Sequence, residues 1–193
     1  MSETPLIQGI KLGAVRGERV LFRDISVSAR AGDLILLRGA NGSGKTTLLR
    51  QLAGLSPPQA GQVVSSSAHH WIGHTNGLKA HETPRSHLAH WARVWGSEAA
   101  ISAILKEMGL RKPSDEPSGM LSAGQKRRTA LARLKLIERK LWLLDEPFNA
   151  LDSDGQAQLA EMIERHRATG GAIIAALHGD APIESSDEVV IKP

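Results

Sequence analysis

The chain has 193 residues, a formal net charge of +4 and 41% apolar residues, which suits one globular domain with its own hydrophobic core. No apolar run approaches the roughly 18 residues that cross a bilayer, and the N-terminus lacks the basic and apolar regions of a secretory signal, so we expect a cytosolic chain. The absence of cysteine excludes disulfides, thiol catalysis and cysteine-ligated zinc.

The basic residues do not indicate a nucleic-acid partner. They are densest at Lys126-Arg127-Arg128, which is typical of a solvated helix face. Only 3% of the residues are aromatic and none is tyrosine, so few side chains could stack on single-stranded bases. We therefore expect no binding of nucleic acid.

The first fifty-five residues predict two antiparallel strands followed by a buried strand and a helix. Apolar and polar positions alternate over residues 6–12 and 20–27, with a turn at residues 16–18 between them. The continuous apolar run 34–37 is typical of a strand buried on both faces. A glycine-rich loop comes next, and the helix is predicted over residues 46–55.

Residues 77–135 are predicted to be helical, as an insertion into an otherwise α/β chain. Thr83 can cap the first helix of this region. The buried face of that helix is predicted to hold Leu88, Trp91, Ala92 and Trp95. Ser97 can cap a second helix, which Gly109 ends.

The last third of the chain alternates strands with a helix. Residues 141–144 and 172–177 are apolar runs typical of buried strands, and residues 153–169 between them predict an amphipathic helix. Residues 188–191 predict a last strand. Strands that alternate with helices indicate an α/β protein with a parallel sheet.

The strongest motif lies between the predicted strand 34–37 and the helix that follows it. Its sequence is Gly39-Ala40-Asn41-Gly42-Ser43-Gly44-Lys45-Thr46-Thr47, which matches a phosphate-binding loop. The glycines let successive N–H groups point at phosphate oxygens, and the helix directs its positive end at the same anion. Lys45 can reach the β- and γ-phosphates, and the Thr46 hydroxyl can ligate Mg²⁺.

Two further segments offer groups to the same chemistry. The strand 141–144 ends in Asp145 and Glu146, at the edge where open parallel sheets bind ligands. Asp145 is placed to hold Mg²⁺ directly or through water, and Glu146 to orient or deprotonate an attacking water. The segment Leu121-Ser122-Ala123-Gly124-Gln125 opens a helix and offers N–H groups, a hydroxyl and a helix dipole to an anion, although by itself it is typical of an ordinary N-cap.

Together, in this order, these three segments resemble the ABC ATPase family. The segment 121–125 is similar to the family's Leu-Ser-Gly-Gly-Gln signature, with Ala123 in place of one glycine. Residues 149–152 are similar to its D-loop, and His178 is similar to its switch histidine, which senses the γ-phosphate. The resemblance implies a P-loop NTPase fold with a central, mostly parallel sheet, an N-terminal antiparallel β subdomain and a small helical subdomain, all in one nucleotide-binding domain over residues 1–193.

The resemblance also implies the ligands and the assembly. The ligands are ATP and Mg²⁺, and the catalytic residues are Lys45, Glu146 and His178. The working form implied is a head-to-tail homodimer, in which the signature of one subunit caps the ATP that is bound to Lys45 of the other. The signature residues that touch this ATP are Ser122, Gly124 and Gln125.

Two positions depart from the family pattern. The family stacks adenine on an aromatic side chain before the phosphate loop, whereas here Arg16, or alternatively Val15, occupies that place. An arginine plane can stack on a base, so we expect adenine binding that is weaker or less selective. The glutamine of the Q-loop is replaced by Thr75, or by Asn76 under a shifted alignment, so coupling between a partner and the site is expected to differ.

Several segments resemble one branch of the family, the ATP-binding subunit of the cytochrome c maturation system, or haem exporter. They are Gly73-His74 with Lys79, and the runs 121–134, 142–152 and 170–178. This resemblance implies ATP hydrolysis on the cytoplasmic side of the inner membrane. An integral membrane subunit of permease type would couple hydrolysis to haem delivery, and the chain would contact the membrane only through that partner.

Two other functions within the family stay open, namely the ATPase of another transporter and a non-transport ABC protein. The second cassette of translation factors and the long coiled-coil insertion of repair proteins are both missing from the sequence. His87 and His90, on one face of a predicted helix, are also candidates for a metal or haem-iron site. No helical His-x3-His pair accompanies them, so ordinary packing is favoured.

Overall fold

The computed structural model describes residues 4–179 and 183–191, which contain eight β-strands and five α-helices. The strands are β1 (Ile7–Arg16), β2 (Arg19–Ala29), β3 (Leu34–Arg38), β4 (Ala60–Ser65), β5 (His69–Ile72), β6 (Leu141–Asp145), β7 (Ala172–Ala176) and β8 (Asp187–Val190). The helices are α1 (Lys45–Leu52), α2 (Pro84–Trp95), α3 (Ile101–Glu107), α4 (Ala123–Ala132) and α5 (Ser153–Ala168). None of the helices in these ranges combines the length and apolar character needed to cross a membrane.

The chain forms two compact units, each built from separate stretches of sequence. The first, called the sheet unit, comprises Met1–His74, Arg139–Pro147 and Leu159–Pro193. The second, called the helical unit, comprises Thr75–Glu138 and Phe148–Gln158.

The sheet unit contains two sheets. Five strands in the order β5-β6-β7-β3-β8 pair in parallel throughout, and three strands in the order β2-β1-β4 pair antiparallel. The strands β6 and β7 are buried along their whole length, which is why their sequences are continuous apolar runs rather than alternating ones. With the helices, these two sheets confirm the predicted α/β fold class.

An apolar core holds the sheet unit together. Side chains from both sheets and from α1 contribute to it, among them Phe22, Leu37, Leu48 and Ile174, all of which are fully buried. Phe22 on β2 packs close to the N-terminus of α1, where the glycine-rich loop ends. The core therefore fixes the antiparallel sheet and the phosphate loop against each other.

The helical unit begins as its sequence predicts and then departs from the prediction. Thr83 caps α2 through a capping box with Ser86. The predicted cap at Ser97 is wrong, because α3 begins only at Ile101 and the Ser97 hydroxyl instead donates to the Leu136 carbonyl and accepts from the Ala99 N–H at 3.1 Å. Of the predicted buried face of α2, Leu88 and Ala92 are buried, whereas the two tryptophans are only partly covered.

Candidate active site

The phosphate loop joins β3 to α1 and leaves the first turn of that helix without a side-chain cap. The first N–H groups of a helix have no partners within it, so this terminus presents donors to an anion. The Lys45 side chain is buried, and its ammonium donates to the carbonyl oxygens of Gly39 at 2.6 Å and Ala40 at 3.2 Å. The loop thus holds a positive charge and free helix donors at one place.

Close packing explains the glycine at the end of this loop. Gly44 has a φ of 105°, and a Cβ at this position would lie 2.8 Å from Cδ1 of the buried Phe22. Only glycine combines that backbone conformation with that approach. The core packing of β2 therefore dictates a residue of the phosphate motif.

Ser43 places an unsatisfied polar atom in the loop. Its side chain is buried, and its hydroxyl oxygen has no hydrogen-bond partner among the described residues, although its backbone N–H donates to the Ala40 carbonyl at 3.1 Å. A buried hydroxyl without a partner is destabilising. A phosphate oxygen is an acceptor that would satisfy it.

A carboxylate and a hydroxyl meet at the carboxyl end of β6. Asp145 is buried, and the Thr46 hydroxyl donates to its Oδ2 at 2.9 Å. Burial raises the pKa of Asp145, and the charge of Glu146 adds to this shift, whereas the hydrogen bond from Thr46 opposes it. Hydroxyl and carboxylate oxygens are the donor atoms that Mg²⁺ prefers, so this pair fits a magnesium ion.

Glu146 has a fixed backbone and a partly buried side chain. Its φ is 49°, which is uncommon for a residue with a side chain, and its N–H donates to the Ala176 carbonyl at 2.9 Å. Nδ1 of His74 lies 3.1 Å from its Oε2. The sequence reasoning missed this contact, because it predicted no strand at β5 and so could not place His74 beside β6.

Residues from four segments line one cleft with a volume of about 160 Å³. The phosphate loop contributes Asn41, Gly42, Gly44, Lys45, Thr46 and Thr47, and the other lining residues are Arg16, Leu21, Glu146 and His178. The cleft thus brings together the three residues predicted to be catalytic. Of the two candidates for the adenine contact, Arg16 lines it and Val15 does not.

The signature-like segment and the segment 149–152 are packed together within the helical unit. Ser122 caps α4 in a capping box with Gln125, with hydrogen bonds of 3.2 Å and 2.8 Å. A Cβ on Gly124 would lie 2.9 Å from the Ala150 carbonyl oxygen, so a larger residue could not keep this approach. The interpretation of Ser122 as an N-cap is confirmed, and a further role for its hydroxyl stays a prediction.

An ion pair ties the same two segments together. Arg128 of α4 donates to the Asp152 carboxylate, which also accepts from the Gly155 N–H at 3.0 Å. The hydrogen bond from Arg128 is the main cause of the lowered pKa of Asp152. The start of α5 is thereby anchored to the helix that follows the signature.

The two candidates for the Q-loop position also belong to the helical unit. Thr75 and Asn76 line a groove of this unit, and the other lining residues are Gly77, Leu78, Ala80, Ser118, Gly119 and Lys126. The Asn76 side-chain oxygen accepts from Arg127 at 3.2 Å. Arg127 is itself buried on α4.

The two histidines of α2, which the sequence offered as candidates for a metal or haem-iron site, lie in different environments. His87 is buried, with its Nδ1 at 3.2 Å from Glu82 Oε2, whereas His90 is exposed and meets the Trp91 ring edge to face at 5.6 Å between centroids. Burial lowers the pKa of His87. Within residues 4–179 and 183–191, no cluster of three or more histidine, aspartate or glutamate side chains could hold a metal ion.

Comparison with known proteins agrees with this site. Residues 22–149, more than half of the chain, match the profile of the ABC transporter family. The cytochrome c biogenesis ATP-binding export protein CcmA of Hyphomonas neptunium is 53% identical over 191 residues, covering 99% of both chains. The protein of the same name from Maricaulis maris is 42% identical over 91% of this chain and 86% of its own length.

Solved structures share the fold at lower sequence identity. An ABC transporter ATP-binding protein from Pyrococcus furiosus superposes with a TM-score of 0.80 at 18% identity, covering 96% of each chain. An ATP-binding subunit of an ABC transporter superposes with the same TM-score at 23% identity, covering 90% of this chain and 79% of its own. The chain therefore belongs to the ABC transporter family, and within it to the group of cytochrome c biogenesis ATP-binding export proteins.

Proposed function

We propose that this chain is the ATP-hydrolysing subunit of an ABC complex for cytochrome c biogenesis, and that it couples hydrolysis to haem export or delivery across the inner membrane through a membrane subunit. The observation that carries the proposal is the 53% identity, over nearly the whole of both chains, to a protein named for ATP-dependent export in cytochrome c biogenesis. The proposal is supported by a cleft of the sheet unit that is lined by Lys45, Glu146 and His178.

The phosphate loop binds the triphosphate. The N–H groups of residues 39–47 and the positive end of α1 surround the β- and γ-phosphates, and the Ser43 hydroxyl gains an acceptor there. Lys45 moves its ammonium from the loop carbonyls to the phosphate oxygens. Binding of the substrate thus uses groups that the loop already holds in place.

Thr46 and Asp145 would hold a magnesium ion through their side-chain oxygens. When bound, Mg²⁺ would neutralise the negative charge that develops on the leaving oxygen. Burial of Asp145 disfavours its charged form, and a cation beside it would offset that cost.

Glu146 receives the proton of the attacking water. The water oxygen forms a bond to the γ-phosphorus while the bond from that phosphorus to the β–γ bridging oxygen breaks, so that ADP leaves and phosphate is formed. His178, which also lines the cleft, contacts the γ-phosphate. The reaction depends on position and charge rather than on a covalent intermediate.

The complete site is formed in a head-to-tail homodimer. The sheet unit holds Lys45 and Glu146, whereas Ser122, Gly124 and Gln125 lie in the helical unit, where α4 begins. In the dimer, the N-terminus of α4 from one subunit faces the phosphates that are bound to Lys45 of the other. Enclosure from both sides excludes water other than the nucleophile.

The adenine contact and the Q-loop position depart from the family pattern, whereas the phosphate loop follows it. Arg16, which is exposed on β1 and lines the cleft, stacks on the adenine ring with its guanidinium plane. Thr75, or Asn76 under a shifted alignment, takes the Q-loop position, where the glutamine of the family would help to position metal and water. The adenine contact is expected to be weaker than one made by an aromatic residue.

Purification from membranes tests this function. We expect the tagged chain, extracted in mild detergent from the inner membrane, to bring with it a permease-type integral membrane subunit of cytochrome c maturation, and its deletion to abolish periplasmic cytochrome c. The chain would reach the cytoplasmic side of the membrane only through that subunit. Recovery of a sugar or metal permease instead, with normal cytochrome c in the deletion strain, would overturn the proposal.

A further inference from the structure

We propose that His74 is a positioning residue for the Glu146 carboxylate. The inference rests on the proposed role of Glu146 as the base that receives the water proton. It names a residue outside the phosphate loop, the signature and the switch histidine, and it supplies an orienting contact in a chain whose Q-loop position holds no glutamine.

The contact joins a mostly exposed ring to a mostly covered carboxylate. Nδ1 of His74 lies 3.1 Å from Oε2 of Glu146, and the two side chains are 64% and 18% exposed. An ionised carboxylate only accepts hydrogen bonds, so the tautomer that makes this contact carries its proton on Nδ1. The imidazole therefore fixes the direction in which one carboxylate oxygen points.

The sheet itself brings these two residues together. The strands β5 and β6 are parallel neighbours in which Ile72 pairs with Leu144, and both chains leave the sheet at the same edge. Two residues further along each strand come His74 and Glu146, which therefore emerge side by side. The contact between His74 and Glu146 therefore follows from the register of β5 and β6 and not from the conformation of a flexible loop.

Backbone contacts hold both partners at this edge. The His74 N–H hydrogen bonds to the Asp145 carboxylate. Glu146 has the left-handed φ of 49°, and its N–H donates to Ala176 on β7 at 2.9 Å. With the backbones held on both sides, the contact with the imidazole adds a restraint on the glutamate side chain.

The residues at the Q-loop position do not belong to the unit that contains Glu146. Thr75 and Asn76 belong to the helical unit, and Asn76 accepts a hydrogen bond from Arg127 there at 3.2 Å. His74 is the last residue of the first stretch of the sheet unit, the unit that contains Glu146. The orienting contact thus lies in the same unit as the proposed base.

Because the His74 ring is mostly exposed, its replacement should affect turnover without affecting folding. Even a charged side-chain contact with a mostly exposed partner contributes little to stability, so this hydrogen bond to an exposed ring should contribute little as well. Replacement of His74 should therefore leave the melting temperature unchanged while it lowers the rate of the chemical step. Because the triphosphate is bound mainly by the phosphate loop, the KM for ATP should change little.

Three substitutions at this position, with one control, test the proposal in ATPase assays of the full-length chain. The amide nitrogen of asparagine stands as many bonds from Cα as Nδ1 of histidine, whereas that of glutamine stands one bond further. We expect His74→Ala to lower kcat about ten-fold with little change in KM, which is a modest part of what a positioned base supplies. His74→Asn should recover most of the rate and His74→Gln should not, while His81→Ala, at an exposed histidine of the helical unit, should behave as the wild type.

Several outcomes would overturn the proposal. They are wild-type kcat in the alanine variant, a change confined to KM, a fall in melting temperature that accounts for the lost activity, or recovery by glutamine as good as that by asparagine. A wild-type chain without ATPase activity would contradict the proposed function instead. The positioning role is tested only by the kcat of each variant relative to the kcat of the wild type.

Discussion

Gly44 links the core of the sheet unit to the phosphate loop, so replacement by alanine should be costly. The residue has a φ of 105° and caps α1. An alanine Cβ would lie 2.8 Å from Cδ1 and 3.0 Å from Cε1 of Phe22. The Phe22 ring is fully buried, so it cannot swing away without disturbing the core.

Two contributions set the magnitude of this effect. A left-handed backbone at a residue with a side chain costs about 1–2 kcal/mol. Overpacking against a buried ring adds about 1–3 kcal/mol. At about 2–4 °C for each kcal/mol in a chain of this size, Gly44→Ala should lower the melting temperature by about 10 °C.

Gly42→Ala is the matched control for the backbone contribution. Gly42 lies in the same loop with a φ of 76°, and nothing lies within 4 Å of the position its Cβ would take. Only the conformational cost remains, so its melting temperature should fall by about 2–8 °C. Thermal unfolding followed by circular dichroism compares the two, and equal losses would refute the argument that Phe22 dictates this glycine.

Three further predictions concern the proposed general base Glu146, the buried histidine His87 and the signature residue Ser122. Glu146→Gln should bind ATP without hydrolysing it and accumulate as a dimer in size-exclusion chromatography, and a variant that stays monomeric with ATP would contradict the composite site. Burial lowers the pKa of His87 from its ordinary 6.5, so the stability that its neutral form contributes is complete above pH 6.5 and is lost as the pH falls through the lower, folded-state pKa. His87→Leu should therefore weaken the fall in melting temperature between pH 7 and pH 5, and an unchanged fall would exclude His87 as its source. Ser122→Ala should cost about 1 kcal/mol through loss of the α4 cap. Ser122→Asn should restore this stability but not turnover, and full ATPase activity in the asparagine variant would show that the hydroxyl only caps the helix.

Much of the sheet unit could be predicted from the sequence because its signals are local. The continuous apolar runs of β3, β6 and β7 are long enough to identify strands, and the phosphate motif fixes the start of α1 within a residue. The carboxyl ends of these strands necessarily share one edge, which is why Lys45 and Glu146 were expected together. The strands, the start of α1 and the edge that Lys45 and Glu146 share can all be predicted without the order of the strands in the sheet.

Other features depend on partners that are distant in sequence. The segments that form β4 and β5 are short and half polar, so their pairing with β1 and β6 gives no local signal. The contact of His74 with Glu146 follows from that pairing and was missed with it. Ser97 has the composition of a cap, but its hydroxyl bonds to Leu136, and tertiary contacts decided where α3 begins.

The most direct test of the central claim is ATP hydrolysis by the purified chain beside its Lys45→Ala variant. Lys45 supplies the buried positive charge of the phosphate loop, and Arg50→Ala, at an exposed cation on the same helix, serves as the control. We expect magnesium-dependent turnover in the wild type and in the Arg50 variant, and none in the Lys45 variant. Equal turnover in all three would contradict the assignment of this loop as the site of ATP hydrolysis.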